Sequence, residues 1–389
     1  MQPPVFILSG IYDDLYLSWR NDSPPLCTSA GKRKVLYQAI AKATGGTPVI
    51  LSPQPRGREN PSDLPGRDLE FAGLPQKFCR ACGIRKIRLL RDMMHYAKHV
   101  HANSTDGALF VVDNYELIYA VALCYCRLRG RTFTVVIDYE DGKHLIDRGV
   151  MKVLSTLAEF LIKPMVSGAI LATPALAARL PAGVPAMVVP GILNDNLPEK
   201  PLIRDGDRVH LLYSGSLDAE RGIPLLLKYL DSQLLHKNVC VEVTGQGNYT
   251  AELQSIAALK PDYIRFHGKV SEQRLQEIRQ RCHFGLNLQS SANPISQVTY
   301  PSKTFDYLNA GLRLISTNAA GAESVLGPAA IYLEEETEQG LANAVDEAVA
   351  GPARPANLET LKADYSLAGT VRRLIRLFSA VERKANPTS

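Results

Sequence analysis

The sequence predicts an α/β chain of two doubly wound, Rossmann-like domains facing a central cleft. Three observations carry this. Short apolar runs alternate with segments of helical periodicity along the chain, the pattern of parallel-sheet units. The pattern breaks at PGILNDNLPEKPLIRDGDR, which is rich in Pro, Asn and Asp turn signals, and then restarts. The length, 389 residues, favours two cores over one. The expected divisions are residues 1–192, a linker at 193–207, a second domain at 208–365, and a terminal segment, 366–389, packing back on the first domain.

In the first domain, strands are expected at PVFILSG (4–10), PVILS (48–52), ALFVVDN (108–114), FTVVIDYED (133–141), GAILATP (168–174) and AMVVPG (186–191). The Pro- and Gly-rich stretch at 53–76 reads as a flexible, functional loop. After it comes CRACGIRKIRLLRDMMHYAKH (79–99), whose Cys and His spacing fits a two-Cys, two-His zinc finger. The finger's own core positions fall on Lys86 and Asp92, so a finger would have nothing to fold around. Apolar residues at 84, 87, 90, 94, 97 and 100 instead predict an amphipathic helix. Arg85, Lys86, Arg88 and Arg91 then form a basic face. Two readings stay open for that face: a solvated surface, or attraction to an anionic membrane. The turn after FTVVIDY offers Glu140 and Asp141 as a base or as acceptor-binding carboxylates.

The second series of strands is VHLLYSGSL (209–217), VCVEVTGQG (239–247), YIRFHGKV (263–270), FGLNLQS (284–290), LRLIST (312–317) and AIYLE (330–334). The first three end in glycines: Gly215 beside Ser216, Gly245, and Gly268 followed by Lys269 and Val270. Glycine lets backbone N–H groups approach an anion, and Arg221 adds positive charge. In TYPSKTFDYLNAG, Ser302 is the expected helix cap and Lys303 falls in the first turn. A cation there opposes the helix dipole and calls for an anionic partner. Asp306, one turn later, is either a ligand for ribose hydroxyls or a local partner of Lys303. An amphipathic helix, SLAGTVRRLIRLFSAVERK, closes the chain.

SGSLDAERGIPLLL, VTGQGNY, FHGKV and YPSKTFDYLNAGLRLIST, in this order and spacing, resemble the nucleotide-binding domain of GT-B glycosyltransferases. Within these, the resemblance is to the mostly retaining group of bacterial polysaccharide and lipopolysaccharide transferases and glycogen synthase. The first half is looser, with LSG at the first strand end (Gly10), VIDYEDG, and ILATPALAARL before VVPGIL. The resemblance implies transfer from a UDP- or GDP-sugar to a glycan or lipid-linked acceptor in cell-surface polysaccharide or glycoconjugate synthesis. It also implies no essential metal or other cofactor. By position, Gly215 and Arg221 would contact the diphosphate, and Gly268 to Val270 would offer backbone to the base. Ser302 and Lys303 would lie near phosphate or sugar. Asp306 takes the place of the second glutamate of the family's paired-glutamate motif, whereas the first falls at Val298. That departure keeps two alternatives open: a non-catalytic sugar-nucleotide-binding scaffold, or a sugar-nucleotide epimerase of the same fold.

Charge is uneven. Residues 1–200 hold 24 Lys+Arg against 18 Asp+Glu, so the overall excess of +5 arises in the first half. An acidic partner is expected there. No run reaches the length of a membrane span, the opening lacks the basic region of a signal peptide, and the seven cysteines mostly sit in apolar segments. These features point to a cytoplasmic protein with reduced thiols, peripheral to the membrane at most, that does not bind nucleic acid.

Overall fold

The computed structural model describes residues 3–11, 29–53, 69–79, 88–142, 147–198, 208–351 and 358–385. The chain divides into two compact units. One runs to Val189 and resumes at Leu367; the other is Pro190–Ser366.

The first unit contains β1 (Val5–Leu8), α1 (Ser29–Thr44), β2 (Val49–Ser52), β3 (Leu69–Phe71), β4 (Leu74–Phe78), α2 (Arg88–Asn103), β5 (Ala108–Asp113), α3 (Leu117–Leu128), β6 (Phe133–Tyr139), α4 (Gly149–Ile162), β7 (Val166–Leu171) and β8 (Ala186–Val188). The strands form one sheet in the order β3-β4-β2-β1-β5-β6-β7-β8. Every pairing is parallel except β3 with β4. Helices cover both faces, which is why β5 is buried at all six positions and reads as an unbroken apolar run before its terminal Asp113.

Two expectations are corrected in this unit. The Pro- and Gly-rich stretch is not loop to its end, because β3 and β4 form an antiparallel hairpin there. Ala72 and Gly73 both take positive φ, the conformation of a two-residue hairpin turn. On α2 the buried line is Met93, Tyr96, Ala97 and Val100, while Leu90 is 61% exposed. The phenol of Tyr96 donates to the Leu51 carbonyl at 2.7 Å, and this anchor sets the helix rotation. Cys79 is buried just beyond β4, its amide bonded to the Ser52 carbonyl at 3.0 Å.

The second unit contains β9 (Val209–Ser214), α5 (Ile223–Asp231), β10 (Val239–Thr244), α6 (Thr250–Leu259), β11 (Ile264–Gly268), α7 (Glu272–Arg281), β12 (Phe284–Asn287), α8 (Pro294–Val298), α9 (Lys303–Asn309), β13 (Arg313–Ser316), α10 (Ala322–Leu326), β14 (Ala330–Tyr332), α11 (Glu338–Ala350) and α12 (Leu358–Tyr365). Its sheet is wholly parallel in the order β11-β10-β9-β12-β13-β14. Strand β10 buries a carboxylate, Glu242, completely. Arg281 grips both its oxygens, at 3.0 and 2.8 Å, and His210, His267 and Arg265 complete the shell. Burial raises the Glu242 pKa, but the bonds from His210, His267 and Arg281 outweigh it and hold the group ionised far below the usual range. At the near end of the unit, Leu193 bridges Ser366, and Asn309 bonds both Ile192 and Asn194, in a segment the sequence reads partly as linker.

The last helix, α13 (Leu367–Ala385), belongs to the first unit. Leu374, Leu377, Phe378 and Val381 form its buried stripe against β7 and α1. Val381 packs so closely on Gly168 of β7 that a Cβ there would lie 2.6 Å from it.

In β12, Gly285 leaves room for the Tyr307 ring; a Cβ would sit 2.2 Å from that ring. Tyr307 cannot retreat without losing the amide of Ser214, bonded to its hydroxyl at 2.8 Å. Gly285→Ala is expected to destabilise the protein by about 1–3 kcal/mol in urea unfolding; an unchanged midpoint would show that the ring can shift freely.

Candidate functional site

The carboxyl ends of β9, β10 and β11 lie side by side. The ladder runs beyond them into the glycine turns. The Gly215 amide donates to Thr244 O at 3.1 Å, and the Gly245 amide to Gly268 O at 2.8 Å. Gly215 and Gly245 take φ of 141° and 137°, and a Cβ on Gly245 would stand 1.8 Å from the Gly215 carbonyl. Only glycine fits this approach. Asp218 clasps two of the turns: the Ser216 hydroxyl donates to one oxygen, and the Asn248 amide reaches the other at 3.1 Å. Those two bonds hold its pKa below the ordinary carboxylate value. Lys269 is exposed and Val270 half-buried directly after β11.

Arg221 ends a short 3-10 turn, Ala219–Arg221, and its guanidinium donates to Gln289 Oε1 at 2.7 Å. Gln289 is buried, and its Nε2 has no partner among the described residues. Lys303 opens α9 with its ammonium 4.0 Å from the centre of the Tyr213 ring. Burial, and then the charge of Arg221, push its pKa down to about 7. Among the described residues neither cation has a carboxylate partner. The structure therefore brings Gly215, Ser216, Gly245, Arg221 and Lys303 to one end of one sheet, with an uncovered amide donor beside them.

Other expectations fare differently. Ser302 stands at the cap position but makes no capping bond, because its φ and ψ, −54° and −27°, are already helical. Thr304 bonds the Pro301 carbonyl instead, at 2.9 Å. Among the described residues Asp306 makes no pair with Lys303. It is half-buried, and burial raises its pKa while Arg279 opposes the rise. Val298 is buried on α8. Sequence reasoning missed Gln289, Tyr213 and Asp218. Of these, Gln289 had a signal, being a polar residue closing the buried strand FGLNLQS.

In the first unit, Gly10 follows Ser9, whose hydroxyl donates to Asp113 at 3.1 Å. Glu140 forms an ion pair with Lys32 at 2.5 Å. The amides of Glu140 and Asp141 both donate to Asn114 Oδ1, at 2.8 and 3.0 Å, and Asn114 itself has φ of 59°. Asp138 is 1% exposed with neither carboxylate oxygen bonded among the described residues; burial, then Glu140, raises its pKa well above the ordinary value. On the basic face, Arg88 begins α2 and Arg91 is exposed, whereas Arg85 and Lys86 lie outside the described residues. Cys82 of the finger pattern also lies outside them. Among the described residues one trio with metal-ligating atoms lies within 4.8 Å, namely His210, Cys240 and Glu242, and its carboxylate is already taken by Arg281.

Residues 208–351 match the family model described as "Glycosyl transferases group 1". The match lies within the second unit. No curated protein matches the sequence. Among solved structures, the chain is similar to sucrose-phosphate synthase from Thermosynechococcus elongatus at 15% identity and a TM-score of 0.64, covering 98% of this chain and 100% of that one. It is also similar to the lipopolysaccharide outer core galactosyltransferase WaaB, at 9% identity and 0.66, covering 97% and 99%. Anabaena HepE, solved in complex with UDP, matches at 12% and 0.59, covering 99% of each chain. At these identities the likeness establishes the GT-B fold across both units. The residues that the family model matches carry the glycine turns and both cations described above.

A folded-state pKa of about 7 against 10.5 for an ordinary lysine means that the unfolded chain holds the Lys303 proton over a wider range. Stability from this group therefore rises with pH between those two values. Lys303→Met should make the protein more stable below about pH 7, with the gain disappearing towards pH 10.5, in urea unfolding at several pH values. A gain that does not vary with pH would contradict a desolvated ammonium.

Proposed function

We propose that the protein transfers a sugar from a UDP- or GDP-sugar to a glycan or lipid-linked acceptor in the synthesis of a surface polysaccharide or glycoconjugate. The observation that carries this is the pair Arg221 and Lys303, two cations close enough that the charge of Arg221 lowers the Lys303 pKa, with no carboxylate pairing either among the described residues. Such a pair asks for an anion. The donor diphosphate supplies two negative charges beside the glycine turns. Its oxygens accept from the Gly215 turn and the guanidinium, and the free Nε2 of Gln289 offers a further donor. UDP bound in Anabaena HepE supports this choice of anion.

Gly245, Gly268, Lys269 and Val270 line the base side, and Asp306 accepts the ribose hydroxyls. Ser302, with its hydroxyl free of any capping bond, is available to a phosphate or the sugar. As the glycosidic bond breaks, charge grows on the leaving diphosphate, and Arg221 and Lys303 stabilise it. Transfer proceeds with retention: an oxygen of the departing phosphate takes the acceptor hydroxyl proton on the face the leaving group vacates. Glu140, tied to Lys32, and Asp141 then serve to bind acceptor hydroxyls rather than to remove a proton.

A panel of UDP- and GDP-sugars tests the reading. Hydrolysis or transfer with one donor supports a transferase; binding of a donor without turnover of any would make the protein a scaffold, and interconversion of the donor sugar an epimerase. Asp306→Ala is expected to weaken donor binding roughly tenfold, and unchanged affinity in the folded variant would remove the ribose assignment. Because the anion binds the charged amine, donor affinity should fall as pH rises above about 7, with proton uptake visible when calorimetry is repeated in a second buffer. Lys303→Arg, always charged, should flatten that pH dependence.

A further inference from the structure

Helix α4, GVMKVLSTLAEFLI, is apolar except along one line of Lys152, Ser155, Thr156 and Glu159, yet of its 14 residues only Ala158 and Ile162 are buried. An apolar face that wide belongs in a core or against an apolar medium. Nine large apolar side chains are exposed among the described residues, and five of them are here: Val150 (74%), Met151 (58%), Val153 (66%), Leu157 (43%) and Phe160 (72%). Val150, Val153, Leu157 and Phe160 recur at helical spacing, so they form one stripe along a rod about 21 Å long. Its exposed charges are Lys152 and, just before it, Arg148; Glu159 is half-buried and paired with Lys163 at 3.4 Å. Helix α3, which packs on α4, ends in exposed Arg127 and Leu128, and Arg129 is exposed just beyond it. Among the described residues no helix is long and apolar enough to cross a membrane.

We propose that α4 lies in the plane of an anionic bilayer surface. Val150, Val153, Leu157 and Phe160 enter the acyl boundary, and Arg148, Lys152, Arg127 and Arg129 meet the lipid phosphates. Charge selects lipid over a second copy of the chain. A self-complementary contact through this face would bring its basic side chains together, whereas anionic headgroups neutralise them. The basic excess of the first half, 24 against 18, has the same sign. The surface is independent of the donor site, so sugar transfer and membrane binding can fail separately.

Flotation of the full chain with phosphatidylcholine vesicles, with and without phosphatidylglycerol and with no donor present, tests the proposal. The protein is expected to float with the anionic vesicles. The double variant Val153→Ser, Phe160→Ser should lower the bound fraction about tenfold, and Lys152→Glu severalfold. Unchanged thermal unfolding is expected for both, since the side chains are exposed. Three outcomes would overturn it: no flotation with anionic lipid, equal flotation of the double variant, or loss of flotation with Arg91→Glu on α2 while the double variant still floats. So would sedimentation velocity showing a lipid-independent dimer that the double variant dissociates, which would assign the stripe to contact between copies.

Discussion

The hydrogen bond from the Ser214 amide to the Tyr307 hydroxyl, 2.8 Å long, fixes the geometry on which the proposed donor site depends. It ties the end of β9, where the first glycine turn begins, to the helix that presents Lys303 and Asp306. Two residues serve it. Gly285 clears space for the ring; Tyr213 lies under the Lys303 ammonium, and its hydroxyl bonds the carbonyls of Ser216 and Arg221 at 2.8 and 3.2 Å. Two tyrosines on neighbouring elements thus set the distance between turn, guanidinium and amine. A site positioned by aromatic rings on a strand and a helix is stiffer than one held by loops alone.

The same region holds its charge at a loss. A lysine whose pKa is pushed to about 7 is an unfavourable thing to fold, and among the described residues it has the Tyr213 ring beneath it but no carboxylate. The buried cluster around Glu242 shows the opposite arrangement in the same sheet, with one carboxylate saturated by two arginines and two histidines. One is a closed structural network; the other is open, and an anion is its proposed partner. Stability surrendered at a site in return for binding is a general pattern.

Much of the fold was legible. The central strands of both sheets, such as β5 and β10, are buried on both faces, and a parallel sheet leaves that trace in sequence whatever its helices do. The β3–β4 hairpin was not, because Pro75 and Gly73 read as loop, and only pairing with β2 makes the segment a strand. The glycine turns were legible because residues with a side chain rarely adopt the φ of 141° and 137° found at Gly215 and Gly245. The convergence of Arg221 and Lys303 was legible in residue type, but the amide from Gln289, 68 residues from Arg221, was not. Leu90 misled because spacing ranks apolar residues equally, while the buried phenol of Tyr96 decides the rotation of α2. The stripe on α4 was hidden for a related reason: an apolar run looks like core until its neighbours are known.

Helix α13 has a consequence for how the chain is made. The sheet of the first unit is assembled from residues up to Val188, but α1 and β7 are covered by Leu374, Leu377, Phe378 and Val381. During synthesis those residues leave the ribosome after the whole of the second unit, which is continuous in sequence. The second unit is therefore free to complete itself vectorially, whereas the first must hold an uncovered apolar seam through the translation of nearly two hundred residues, roughly 10–40 s at bacterial-to-eukaryotic elongation rates. The glycine at 168, cut to receive Val381, is the last socket of the molecule to be filled.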